Sequence, residues 1–190
     1  MNYKKIVSGV LILIFAITLS GCAEIPKPCI ETNNKFVCDS EVANMNGYDG
    51  YTNDQKIFVK RDISTTIDAL TSLKDGIYYL GYEDCPWCVE AVPLMAEAAA
   101  KNNRKIIYLN IKDEEITDEQ SSAIKKTLDS TLDKDENGVK TLYVPEVVVI
   151  ESGSIKSFHI GTLDSHQATE RKMSKGESNS LLKIYLKMFR

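Results

Sequence analysis

Glu83-Asp84-Cys85-Pro86-Trp87-Cys88-Val89-Glu90 sets two thiols directly after an apolar run, Gly76-Ile77-Tyr78-Tyr79-Leu80-Gly81-Tyr82. The run reads as a buried strand and the stretch after it as the start of a helix. Pro86 agrees with that placement, because its fixed φ and missing N–H suit the first helical turn. With two residues between them, a thiol at the N-cap and one a turn further in can close a disulfide without moving the backbone. The first sulfur meets unpaired backbone N–H groups and the positive end of the helix dipole, and both favour a thiolate. Cys85 is therefore the candidate nucleophile and Cys88 the candidate resolving thiol. Glu83 and Asp84 are expected to be solvent-exposed, and as negative neighbours they oppose the dipole by raising the Cys85 pKa.

From this motif and its downstream context the chain resembles the thioredoxin superfamily. Pro93 lies five residues after Cys88, where thioredoxins kink the active-site helix. Lys105-Ile-Ile-Tyr-Leu-Asn-Ile-Lys-Asp113 is similar to the family's next strand, and Val144-Pro145 before Glu146-Val-Val-Val-Ile150 to its cis-proline and the strand that follows. Gly153 and Gly161 fall at the family's glycine spacings. Over residues 56–190 the resemblance implies an α/β fold, a thioredoxin-like three-layer α/β/α sandwich with a mixed sheet. It also implies a peptide groove framed by Trp87, Val144, Pro145, Ile160 and Gly161, in which the Val144 backbone pairs with bound substrate as an added strand. The chain departs from the family at Tyr79, where many thioredoxins bury an acid that assists proton transfer. Pro-Trp between the cysteines looks more like glutaredoxins, and Val144 before the proline resembles some extracytoplasmic disulfide oxidases.

In chain order the domain is expected to open with a strand at Lys56–Lys60 and a helix capped by Ser64 that runs to about Lys74. The active-site helix should span Pro86 to about Asn102, with Val89, Val92, Met95, Ala96 and Ala99 as core. A capping box at Thr117 and Gln120 starts a helix that reaches about Leu132. Strands over 140–150 and 154–160 meet at a turn around Gly153, and an amphipathic helix over about 178–189 closes the chain. Alternating helices and strands before a terminal hairpin make an α/β pattern.

Residues 1–21 read as a signal peptide: Lys4 and Lys5, then the apolar run from Ile6 to Leu19, which is short for a spanning helix. Leu19-Ser20-Gly21-Cys22 resembles a bacterial lipobox, which implies a lipid on Cys22. Export places the remaining thiols where disulfides persist. If Asn33-Asn34 forms a two-residue turn, Cys29 faces Cys38 across a small hairpin, and a structural disulfide between them is the favoured reading over a second redox pair or free thiols. Residues 22–55 are read as a tether, with a polar spacer from Asp39 to Asp54.

Composition bounds the rest. At 190 residues and 43% hydrophobic content the chain can bury one domain's core. With 23 basic against 27 acidic residues, it gives nucleic-acid binding no electrostatic support. Asp133-Lys-Asp135-Glu-Asn137-Gly138 matches half of a calcium loop, but Val144 stands where its bidentate Glu belongs. His159 and His166 lie far from Cys85, so no metal site is expected and no cofactor is needed. Together these readings describe a monomeric, lipid-anchored thiol–disulfide oxidoreductase on the outer face of a bacterial membrane. It would act on protein or peptide thiols and disulfides together with an unidentified redox partner. The resemblance extends to thioredoxin-like lipoproteins and bacteriocin transport accessory proteins of Gram-positive bacteria. The competing class is a metal or assembly chaperone whose two thiols hold a soft ion such as Cu(I).

Overall fold

Two central strands, β3 (Gly76–Gly81) and β7 (Glu146–Glu151), are buried along almost their whole length and divide the interior in two. The computed structural model describes residues 40–190; the expected leader over 1–21, the expected lipidation of Cys22 and the expected Cys29–Cys38 disulfide lie outside the described residues. Alternate side chains on a strand face opposite ways. Ile77, Tyr79, Val147 and Val149 accordingly enter one core with α2 (Pro86–Lys101) and α4 (Lys175–Met188), while Tyr78, Leu80, Val148 and Ile150 enter the other with α1 (Ile63–Thr71) and α3 (Asp118–Thr127). The result is a helix–sheet–helix sandwich, in which each large apolar side chain contributes about 1.5–3 kcal/mol by burial.

Among the described residues, six strands form one mixed sheet in the order β1-β2-β4-β3-β7-β8, where β1 is Glu41–Val42, β2 Phe58–Lys60, β4 Ile106–Asn110 and β8 Ser154–Ile160. β2, β4 and β3 run parallel; β7 pairs antiparallel with β3, and β8 and β1 are antiparallel to their neighbours. In the parallel β3–α2–β4 unit, β3 ends at Gly81, and Tyr82 to Asp84 lead from it to Cys85. The β7–β8 hairpin turns through Ser152 and Gly153, both at positive φ.

Several expected boundaries move. Among the described residues the packed body already includes Ser40 to Tyr48, ahead of Lys56. Ala43, Met45 and Tyr48 are at most 2% exposed and belong to the same core as α2, so this stretch is no spacer. One side chain ties its backbone to β2: Asn53 Nδ2 donates to Ala43 O and Phe58 O (3.0 and 2.8 Å), and Phe58 N donates to Asn53 Oδ1 (3.2 Å). The first helix is capped by Asp62 rather than Ser64, since the Asp62 carboxylate accepts Thr65 N at 2.8 Å. The Thr117–Gln120 capping box forms, but its helix stops at Thr127, ahead of the poor helix formers Asp129-Ser130-Thr131. Residues 140–150 do not form one strand, because Pro145 has no N–H for a ladder. Lys140–Thr141 (β6) pairs instead with Asp133–Lys134 (β5) in a hairpin. The half calcium motif is the turn of that hairpin, and Asp135 Oδ1 accepts the N–H groups of Asn137 and Val139. The last helix starts at Lys175, behind a capping box of Ser174 and Glu177.

Glu146 opens β7 with a carboxyl that is 0% exposed. The Thr131 hydroxyl donates to Glu146 Oε1 and also lies 2.8 Å from Leu128 O, while Glu146 Oε2 is buried with no hydrogen-bond partner. Burial pushes this carboxyl from 4.5 up to about 7; the Thr131 hydrogen bond pulls it down and nearby Asp133 pushes it up. A raised folded-state pKa means that the native chain holds a proton the unfolded chain has lost between pH 4.5 and 7. Stability therefore falls as pH rises through that window. Glu146→Gln is expected to be more stable than wild type at pH 8, by about 2–3 kcal/mol, and to lack the decline, as denaturant unfolding at pH 5 and pH 8 would show.

Candidate active site

Cys85 is the N-cap of α2, with extended backbone (φ −85°, ψ 115°), and Pro86 takes the first helical position. Its sulfur accepts the Cys88 N–H at 3.3 Å, and its thiol donates to the Val144 carbonyl at 3.7 Å across the gap to β7. Cys88, one turn on, is 0% exposed against 3% for Cys85, and both thiols are free.

The two sulfurs have opposite acidities. A hydrogen bond from the Cys88 thiol holds Cys85 down most strongly, burial pushes it up, and the backbone N–H groups of Cys88 and Trp87 and the charge of Lys112 lower it further. The balance brings Cys85 from 9.0 to about 7, so roughly half of it is thiolate at neutral pH. Cys88 is pushed far above an ordinary thiol, first by the bond it gives to Cys85 and then by burial, against a lowering hydrogen bond from Tyr79. Glu83 and Asp84 are exposed, as expected. Lys112 lies 3.7 Å from the Tyr82 ring centroid, just before the cysteines, and supplies a cation that the spacing of the motif did not reveal.

Val144-Pro145 is a cis peptide. Gly161 N donates to Pro145 O at 2.8 Å, and Ile160 pairs with Glu146, so Val144, Pro145, Ile160 and Gly161 come together at the end of the β7–β8 pair. Through Val144 O this group reaches Cys85. Trp87 is half-buried at the second helical position, and Tyr143, beside Val144, is 41% exposed. Pro93 lies inside α2, which continues through it to Lys101.

The two histidines serve the scaffold. His166 is buried between Thr162 Oγ1 (2.8 Å) and Arg171 O (2.9 Å), and His159 Nε2 contacts Thr162 O at 2.7 Å. Among the described residues no three His, Cys, Asp or Glu side chains are grouped to hold a metal ion.

Sequence reasoning missed a string of three core phenols. Tyr79 is 0% exposed and donates to Tyr48 Oη at 3.0 Å; Tyr48, 1% exposed, donates to Tyr108 Oη at 3.1 Å. Tyr79 stacks on Tyr108, with ring centroids 5.4 Å apart at 18°. The apolar pattern of β3 and β4 places Tyr79 and Tyr108 on one face, but nothing in the polar text around Tyr48 signalled a core residue.

No protein-family model matches the chain. Among solved structures, a thioredoxin from Aeropyrum pernix is similar to it at 18% identity, over 53% of this chain and 73% of that chain, with a TM-score of 0.35.

Proposed function

We propose that this chain is a thioredoxin-like, extracytoplasmic thiol–disulfide oxidoreductase, held at the membrane by lipid on Cys22 and acting on protein disulfides and thiols. The observation that carries this reading is the unequal pair at the head of α2: a helix-capping sulfur near half ionised at neutral pH, and a fully buried partner one turn away. In the reductive direction the Cys85 thiolate attacks a substrate disulfide. One S–S bond forms as another breaks, and the first substrate thiolate leaves and takes a proton from water. Cys88 then attacks the Cys85 sulfur, closes the Cys85–Cys88 disulfide and releases the second substrate thiolate. Two electrons pass to the substrate, and the reverse sequence oxidises a dithiol. Val144, Pro145, Ile160, Gly161 and Trp87 would frame the bound peptide, with the Val144 backbone as the edge it pairs to.

Extracytoplasmic placement rests on the leader and lipobox, and likeness to the Gram-positive lipoproteins rests on the motifs they share. Turnover decides between this reading and metal carriage. The purified protein should reduce insulin disulfides repeatedly when a small thiol regenerates it, and should carry no stoichiometric copper. Tightly held copper without disulfide turnover would overturn the proposal.

A further inference from the structure

Among the described residues Tyr143 is the exposed tyrosine, at 41%, while Tyr48, Tyr78, Tyr79 and Tyr185 are sealed in the interior. The residues on either side explain why it is left outside. Leu142 packs against the core under α1 and α3, Val144 packs against the core under α2 and α4, and Tyr143 between them belongs to neither. A single exposed aromatic is ordinary on a protein surface. This one borders the reacting sulfur, because the carbonyl of its neighbour Val144 accepts the Cys85 thiol at 3.7 Å. Across that contact stand Pro86, exposed, and Trp87, half-buried, at the first two positions of α2. Apolar residues therefore flank the nucleophile on both sides. Cys85 itself is only 3% exposed, so a substrate disulfide reaches it only where the substrate chain presses down between α2 and Val144. The residues next to the substrate cysteine, about 3.8 Å along its chain, are carried down with it against Tyr143 and Trp87.

We infer that Tyr143, together with Trp87, selects disulfides whose cysteines have aromatic or large aliphatic neighbours in the substrate chain. The inference rests on the thiol–disulfide exchange proposed above and supplies its substrate class: cystines in unfolded or extended segments, where the apolar side chains beside the cysteine are uncovered. Pairing to the Val144 backbone is blind to substrate sequence, so discrimination has to come from side chains at the edge of that strand. Tyrosine suits the place. Its ring offers a large contact area with two rotatable angles to fix, so little conformational entropy is lost when a substrate covers it. Its hydroxyl keeps one end wet while the site is empty. A small hydrophilic disulfide leaves both rings in water and gains only the backbone pairing.

Two peptide disulfides that differ only beside the cysteine provide the test: the symmetric dimers of acetyl-Phe-Cys-Phe-amide and acetyl-Gly-Cys-Gly-amide. The full-length protein turns each over with dithiothreitol as reductant, and each rate is divided by that dimer's own rate with dithiothreitol alone. Wild type should favour the Phe dimer about tenfold in kcat/KM, chiefly through KM. Tyr143→Ser should bring the ratio down to about two or below by slowing the Phe dimer, and Tyr143→Leu, which restores an apolar surface, should keep it. Brief iodoacetamide labelling of Cys85 should be alike in all three proteins, since Tyr143 acts on the substrate and not on the sulfur. A ratio near one in wild type, an undiminished ratio in Tyr143→Ser, or equal slowing of both dimers with altered Cys85 labelling would overturn the inference. Failure of wild type to reduce either dimer would instead overturn the exchange reading beneath it.

Discussion

Cys85→Ser should lower disulfide exchange by at least about a thousandfold, the scale on which removal of a nucleophile acts, and should form no covalent complex with substrate proteins. Cys88→Ser should also lose turnover, but by a different route. Cys85 still attacks, and with no partner sulfur to displace the substrate, the mixed disulfide persists. Non-reducing gels of the native host expressing each variant would separate the roles. Adducts are expected with Cys88→Ser alone, and they disappear on reduction. The asymmetry follows from position, because Cys85 caps the helix and reaches Val144 O whereas Cys88 is sealed beneath it. Equal trapping by both single variants would mean that either sulfur can attack first, and the assignment of roles would fail.

A chain starting at Lys56 should lose its cooperative fold. If residues 40–55 were a spacer, their removal would leave melting unchanged. Here they supply β1, the Asn53 bridge, and the buried Met45 and Tyr48. Emptying a buried site of that size costs about 2–5 kcal/mol each, and two of them approach the 5–15 kcal/mol that holds a typical domain together. Tyr48 also carries the hydroxyl between Tyr79 and Tyr108, so the same segment ties together the phenols of β3 and β4. Thermal unfolding by circular dichroism distinguishes the outcomes, and a melting temperature within a few degrees of the full chain would restore the spacer reading.

The strands and helices that could be read in advance carry their signals locally. β3 and β7 carry continuous apolar runs, α2 begins at a proline after a cysteine, and the capping box at Thr117 occupies a single turn. The meeting of Val144 with Cys85 was also legible, through the family resemblance, since residues 59 positions apart show no local sign of contact. What escaped notice depends on tertiary packing alone. Ala43, Met45 and Tyr48 follow no helical or strand period, and they are buried because β2 and α2 leave a hollow that irregular chain fills. Glu146 hides at the head of an apolar strand, where a charge would be costly, and burial answers the conflict by raising its carboxyl from 4.5 to about 7 against the lowering hydrogen bond from Thr131. Tyr79 was conspicuous only as a missing acid. In the fold it is a core phenol bonded to Tyr48 from the supposed spacer.

The most direct measurement is the pH dependence of alkylation at each sulfur of the reduced protein, quantified by peptide mass after brief iodoacetamide treatment. Cys85 should label along a single titration with its midpoint near pH 7, fall to about a hundredth of its maximum at pH 5, and leave Cys88 unlabelled throughout. Equal labelling of both cysteines, or a Cys85 midpoint at the ordinary thiol value near 9, would contradict an activated nucleophile paired with a buried resolving thiol.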